Sequence, residues 1–266
     1  MVEYLFLNGA IVPYDEGKLH VSDLGLLRGY GVFDYFRVIG GKPIFIDDHL
    51  KRFEDSAAAL HLNLQFSSNF LKQKIEELIF LNPHKLLGIR LVCTGGYASD
   101  GYTPSDDTNC FMIAKPFVFQ PYERGLSLMT VHHQRDLPSI KTTNYIRPIA
   151  SLIQQRRLGV DDVLYHLDGK ISESSRSNIF IIKNNVLITP KDGILYGVTR
   201  KKILEIAPSI MAVEVRDVPL SEVWSADEVF LSGSTKRVGP VVKIDGIAFA
   251  HGAYTRRLYE ALIATE

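Results

Sequence analysis

The chain has 266 residues, which at a soft norm of ~150 residues per domain means one large domain or two smaller ones. Hydrophobic residues make up 46% and charged residues 23%, ordinary globular values that exclude long disorder, collagen and coiled coil. Thirty Lys and Arg balance thirty Asp and Glu, so no net positive field exists to hold a polyphosphate backbone, and nucleic-acid binding is not expected.

From the N-terminus, YLFLNGAIVPY reads as a hairpin turning at Asn8-Gly9. It has no basic n-region and is not read as a signal peptide. GVFDYFRV (31–38) alternates as a strand, with Phe33, Tyr35 and Arg37 on one face and Val32, Asp34, Phe36 and Val38 on the other. Gly40-Gly41 turns the chain into KPIFI, read as another strand. DDHLKRFEDSAAALHL reads as a helix capped by Asp47, with Leu50, Phe53, Ala57 and Leu60 on one stripe. A second helix over 70–81 stops at Asn82-Pro83. Apolar strands follow at 86–94 and 109–117, joined by the polar loop GGYASDGYTPSDD. Cys93 and Cys110 lie in these strands and form neither a disulfide framework nor a metal knuckle, so buried thiols are expected and no metal.

FVFQPYER, with prolines at 116 and 121, reads as an interdomain linker at 118–124. It divides a small N-terminal domain (1–117) from a larger C-terminal one (125–266), both α+β. The second half is expected to hold strands near 126–131, 162–167, 178–183, 186–189, 213–216, 228–232 and 241–244. Helices are expected near 144–158, 199–207 and 251–264. No uninterrupted apolar run approaches ~18 residues, so no membrane span is expected and the chain reads as soluble and cytoplasmic. Ligands favour the cleft between domains, so both halves are expected to contribute to a site.

Five segments carry possible chemistry. Arg52, in HLKRF, reads alone as a solvated helix charge. Lys141, in SIKTTNY, sits at a helix start, where an amine is disfavoured as a cation and suited to condensing with an aldehyde; alone it reads as a surface lysine. Glu173, in ISESSRSNIF, is ringed by small hydroxyl residues, as in a packed polar pocket, or is a turn acid. GVTR (197–200) is a glycine turn opening a helix at Val198 and Thr199, receptive to phosphate. GSTKR (233–237) offers backbone N–H groups and the hydroxyls of Ser234 and Thr235. Together they fit one ligand with a phosphate, an aldehyde and a protonatable ring nitrogen, which is pyridoxal phosphate.

The order HLKRF, IKTTN, ISESSRSNIF, ILYGVTR, FLSGSTKRVGPV resembles the class IV, fold-type IV pyridoxal-phosphate enzymes. These include branched-chain aminotransferases, D-amino-acid aminotransferases and aminodeoxychorismate lyases. The resemblance runs from Asn8-Gly9 to Asp245-Gly246. It implies a two-domain α+β fold: a small N-terminal α/β domain, a larger C-terminal α/β-barrel-like domain and the cofactor at their interface. It also implies a homodimer with a shared active site. The family's catalytic lysine falls on Lys141 and its ring-nitrogen carboxylate on Glu173. Its phosphate ligands fall on Arg52, Val198, Thr199, Gly233 and Ser234. Tyr145 is nearest to the tyrosine that bonds the cofactor's phenolic oxygen in branched-chain members, although it stands one residue nearer to its lysine.

Substrate choice diverges within the family. The loop before residue 110 carries Asp100 and Tyr102 where bacterial D-amino-acid aminotransferases carry R-x-H. It also lacks the arginine of the lyases' GRGY stretch, and LLRGYG is less apolar than the matching turn of branched-chain enzymes. Arg28 and Arg90 are therefore expected to hold the substrate carboxylate, with Thr235, on the side where D-selective members hold it. The competing reading of Arg90 is a structural ion pair with Asp34. The resemblance implies ping-pong transamination of D-amino acids such as D-alanine and D-glutamate with 2-oxo acids. The alternatives are an aminodeoxychorismate lyase, a branched-chain L-aminotransferase and a cofactor reservoir without turnover.

Overall fold

The computed structural model describes residues 3–266, which pack as two compact units. One runs up to Val118 and includes Ile140–Tyr145; the other comprises Phe119–Ser139 and Ile146–Glu266.

The first unit contains β1 (Tyr4–Leu7), β2 (Ala10–Pro13), α1 (Leu24–Arg28), β3 (Gly31–Ile39), β4 (Lys42–Pro43), α2 (Ile46–Ala59), α3 (Ser68–Leu81), β5 (Leu86–Thr94) and β6 (Asn109–Pro116). The strands form one antiparallel sheet in the order β2-β1-β6-β5-β3-β4. The hairpin turns at Asn8 and Gly9 with φ of 45° and 97°, the left-handed pair that an Asn-Gly turn supplies cheaply. One sheet face buries Phe6, Val32, Phe36, Ile89, Leu91 and Met112 against Leu50 and Phe53 of α2 and Ile75 and Leu78 of α3. β4 pairs only with Val38 and Ile39, so the start of β3 has a free edge, and residues 141–143 fill it. Phe33 N donates to Lys141 O and Thr143 N to Gly31 O, both at 2.9 Å. The strand-like docking of 140–145 assigns it to this unit, whereas the sequence reading gave everything after 124 to the second domain.

The second unit contains β7 (Leu126–His132), α4 (Ile146–Leu158), β8 (Asp162–Leu167), β9 (Lys170–Ser174), β10 (Asn178–Lys183), β11 (Val186–Thr189), α5 (Val198–Ile206), β12 (Ala212–Val215), α6 (Leu220–Val223), β13 (Glu228–Gly233), β14 (Arg237–Ile244), β15 (Ile247–Ala248) and α7 (Ala253–Ile263). Its sheet runs β12-β11-β10-β13-β14-β7-β8-β9, and β9 also pairs with β10 through Glu173 and Asn178. That pairing closes six strands into a barrel, so the barrel-like expectation holds. Leu126, Leu128, Ile179, Ile181, Val229, Leu231 and Val241 build one buried cluster, the alternation that a closed sheet demands.

Local expectations change in four places. KPIFI is a strand only at Lys42–Pro43, because the helix begins at Ile46 after Phe45 adopts φ of 55°. Asp47 sits inside the first turn and pairs with Lys72 rather than capping the helix. The linker at 118–124 is packed structure: Tyr122 is buried, its ring 4.6 Å from that of Tyr259. β9 replaces an expected turn, because Ile171 through Ser174 are buried on the barrel wall.

Candidate active site

In the first unit, period-two alternation along β3 sends Asp34 to the helix-covered face, where its side chain is 1% exposed. A buried carboxylate needs cations and donors. Arg52 supplies two parallel bonds, Nε to Oδ2 and Nη2 to Oδ1, each 2.8 Å. His49, one helical turn earlier, places Nδ1 2.7 Å from Oδ1, and Tyr35 N donates at 2.7 Å. Burial alone would raise the Asp34 pKa, but Arg52 and His49 outweigh it and hold the carboxyl well below the usual range. Burial lowers the His49 pKa despite the adjacent carboxylate. Arg52 is therefore no waving surface charge: its guanidinium plane is fixed and its Nη1 edge takes no partner among the described residues.

The opposite face of β3 carries Phe33. The Lys141 ammonium lies 4.5 Å from its ring centroid and the Arg90 guanidinium carbon 5.8 Å, while the Tyr145 ring meets it edge-on at 5.5 Å. The backbone bonds to β3 and a 3.2 Å bond from Lys141 N to Ser56 Oγ set where this lysine starts. Arg90 sits opposite Tyr35 and is exposed. Its ion pair with Asp34 does not form, since Asp34 lies on the other face and is filled by Arg52 and His49. Arg28 is not part of the Phe33 cluster. It ends α1, exposed, with Nη1 donating to Leu27 O. Buried Asp23 sets this short helix by accepting from Gly25 N, Thr94 Oγ1 and Asn109 Nδ2, each at 2.7 Å.

In the second unit, barrel closure holds Glu173. Its side chain is 5% exposed. Oε1 accepts from Arg135 Nε at 2.7 Å, while Oε2 accepts from Leu195 N at 3.0 Å and Asn178 Nδ2 at 3.5 Å. Arg135 also donates from Nη2 to Pro138 O at 2.5 Å. A Cβ on Gly197 would stand 2.2 Å from Asn178 Oδ1, so a side chain here would push Asn178 away from Glu173 and the Leu195 carbonyl. Gly197 gives α5 no side-chain cap, leaving the amides of Val198 and Thr199 for an anion. In the Gly233–Arg237 turn, Lys236 N donates to Gly233 O at 3.1 Å and Thr235 is exposed. The next two cations do not extend this turn as a basic surface. Lys236 folds onto Asp162 and Ser177, and Arg237 onto Glu266 and the Phe119 ring. Among the described residues, no group of three or more His, Cys, Asp or Glu could hold a metal.

Sequence reasoning missed the supporting residues Asp34 as a hub, His49, Arg135, Asn178 and Phe33. An acid on the apolar side of an alternating strand, and the three-residue spacing of His49 and Arg52, were the available signals. Arg135 left none, because its partner is 38 residues away.

The Amino-transferase class IV family matches residues 31–244. A Methanocaldococcus jannaschii protein, whose name places it provisionally among the branched-chain-amino-acid aminotransferases, is 33% identical, the match covering 96% of this chain and 94% of that one. The D-alanine aminotransferase of Bacillus licheniformis is 30% identical, with 94% and 91% covered. The solved branched-chain amino acid aminotransferase of Escherichia coli superposes with a TM-score of 0.91 at 26% identity, covering 99% of this chain and 94% of that one. The chain belongs to the class IV aminotransferases, enzymes that work with pyridoxal phosphate.

Proposed function

We propose that this enzyme transaminates D-amino acids, such as D-alanine and D-glutamate, with 2-oxo acids by a ping-pong mechanism. The residues present fit the cofactor. The uncapped α5 N-terminus suits a phosphate, and the buried Glu173 carboxylate, neutralised by Arg135, suits a protonated ring nitrogen. Bound, pyridoxal phosphate supplies the aldehyde and the electron sink. Lys141 Nζ holds the cofactor and carries the proton to and from the substrate α-carbon. Glu173 holds the proton at the ring nitrogen. Arg52, the amides of Val198 and Thr199, and the Gly233-Ser234 turn would hold the phosphate, and Tyr145 would hydrogen-bond the phenolic oxygen.

One observation carries the D-selective reading: Arg90 and Lys141 lie over the same Phe33 ring. An α-carboxylate is two bonds from the reacting nitrogen, so a guanidinium beside the lysine is placed to grip it. Arg28 and Thr235 complete the grip, Arg28 from a second copy of the chain. The exposed Ile146, Ile149 and Ile153 on one side of α4 support a homodimer. No helix among the described residues is long and apolar enough to cross a membrane. The buried thiols Cys93 and Cys110, directly opposite each other in β5 and β6, support a reducing, cytoplasmic setting. The branched-chain relatives favour a second reading, an L-aminotransferase for leucine or isoleucine.

Half-reactions with D- and L-amino acids, followed by cofactor absorbance, decide between the two. The expected result is reduction by D-alanine and D-glutamate. Arg90→Gln and Arg28→Gln should each weaken D-substrate saturation by ~1.5–3 kcal/mol, the scale of a charge-assisted hydrogen bond. Preference for L-leucine would replace this reading with the branched-chain one. Borohydride trapping of the cofactor on any lysine other than Lys141 would remove Lys141 from its role.

A further inference from the structure

A lysine in a Gly-Ser-Thr-Lys turn invites assignment as a phosphate ligand. The structure gives Lys236 other partners. Its side chain is 14% exposed, and Nζ lies 3.6 Å from Asp162 Oδ2 and donates to Ser177 Oγ at 3.2 Å. Asp162 is itself a junction. Oδ1 accepts from Ser175 Oγ at 2.5 Å and from Val163 N at 2.9 Å, and Oδ2 accepts from Ser174 Oγ at 3.3 Å. Ser174 and Ser175 directly follow Glu173, and Ser174 N donates to Ser177 O at 2.8 Å. The Lys236–Asp162 ion pair, with Ser177, thus joins the turn beginning at Gly233 to β8 and to the serines that follow Glu173.

We infer that Lys236 is a positioning residue, a clamp that holds the Gly233–Arg237 turn in register with the Glu173-bearing end of β9. The inference rests on the proposed roles of that turn at the phosphate and of Glu173 at the ring nitrogen. Those two groups grip opposite ends of one rigid cofactor, so their separation must be fixed before the cofactor binds. Backbone pairing of Glu173 with Asn178, of Asn178 with Ser232 and of Gly233 with Arg237 fixes the strand ends, and the Lys236 side chain carries that registry into the tip residues between Gly233 and Arg237. The ammonium is consumed by Asp162 and Ser177 and is not turned to the ligand.

The test uses Lys236→Met, Asp162→Asn and the double variant, which leaves no lone buried charge if a single variant fails to fold. Hydrogen exchange of the cofactor-free protein is the first readout. The clamp requires faster exchange at both 174–178 and 233–237 in Lys236→Met, although the substitution touches only one of them in sequence. The second readout is release of pyridoxal phosphate into cofactor-free buffer, followed by its visible absorbance. Each single variant should release it about tenfold faster or more, the scale for losing a group that orients direct ligands. The double variant should be no worse than the worse single one. Lysine acting directly on the phosphate would instead leave Asp162→Asn with wild-type release, and that result overturns the clamp. Unchanged exchange at 174–178, or loosened segments with wild-type release, also overturns it. A wild-type protein that takes up no pyridoxal phosphate sinks the proposed function, while the exchange experiment still judges the clamp.

Discussion

In the N-terminal unit Arg52 donates twice to buried Asp34; in the C-terminal unit Arg135 donates to buried Glu173. The two pairs are built alike and assigned opposite uses. In the first, the arginine is the proposed working group and the acid its holder. In the second, the acid is the proposed working group and the arginine its holder. They also differ in reinforcement. Asp34 keeps His49 and the Tyr35 amide when Arg52 is taken away. Glu173 has Arg135 as a charged partner beside the neutral Leu195 amide and Asn178. Removing Arg135 takes a salt-bridge partner from Glu173, whereas removing Arg52 leaves the His49 imidazole bonded to Asp34.

The largest expected effect follows from that asymmetry. Arg135→Met should destabilise the folded protein by about 3–5 kcal/mol, the scale for stranding a buried charge. The measurement is urea unfolding of the cofactor-free protein, and adding Glu173→Gln should recover much of the loss. A variant that unfolds at the wild-type urea concentration would show that Glu173 has other compensation, and the contrast between the units would fail. Arg52→Met should cost less, about 1.5–3 kcal/mol, the range for a hydrogen bond to a charged group. It should weaken retention of pyridoxal phosphate more than it slows the half-reaction at saturating cofactor, because a phosphate contact contributes mainly uniform binding. If Arg52→Met is the more destabilising of the two, the reinforcement argument is wrong.

The same pairs mark what the sequence could and could not reveal. Periodicity located β3, α3, β5 and the barrel strands other than β9, since burial of one face dictates their pattern. It also placed Asp34 on the apolar side of β3. It did not find α1, although Asp23 as cap and Gly29 in the left-handed conformation bound that helix in the expected way. Five residues are too few for a period. β9 was hidden because hydroxyl residues fill a strand that is buried by barrel closure rather than by apolar side chains. The proposed roles of Lys141, Glu173 and Arg52 rest on a motif order, which points to working groups and says nothing of their holders. Arg135 reaches Glu173 across 38 residues and Asp162 meets Lys236 only through the fold, while Asn178 meets Glu173 through the β9–β10 pairing, and no local pattern encodes these contacts.

The smallest predicted effect concerns acid, and it isolates the feature that distinguishes the first pair. His49 is buried against Asp34, Arg52 and Arg37, and burial lowers its pKa below that of an exposed imidazole, near 6.5. The unfolded chain therefore takes up a proton at His49 as pH falls below about 6.5, while the folded chain resists until lower pH. Stability from this group is full above that value and is lost as pH falls toward the folded-state pKa. Asp34, also held low, adds its own loss only at the more acidic end, where unfolded carboxylates near 3.9 begin to protonate. The thermal midpoint of the cofactor-free protein should consequently drop between pH 7.5 and pH 5.5, and His49→Gln should flatten that drop while leaving the steeper loss below pH 4. An amide can still donate to Asp34 but cannot titrate. If His49→Gln keeps the wild-type slope between pH 7.5 and 5.5, the imidazole is not a neutral buried donor, and the reinforcement of Asp34 comes from a charged His49 instead.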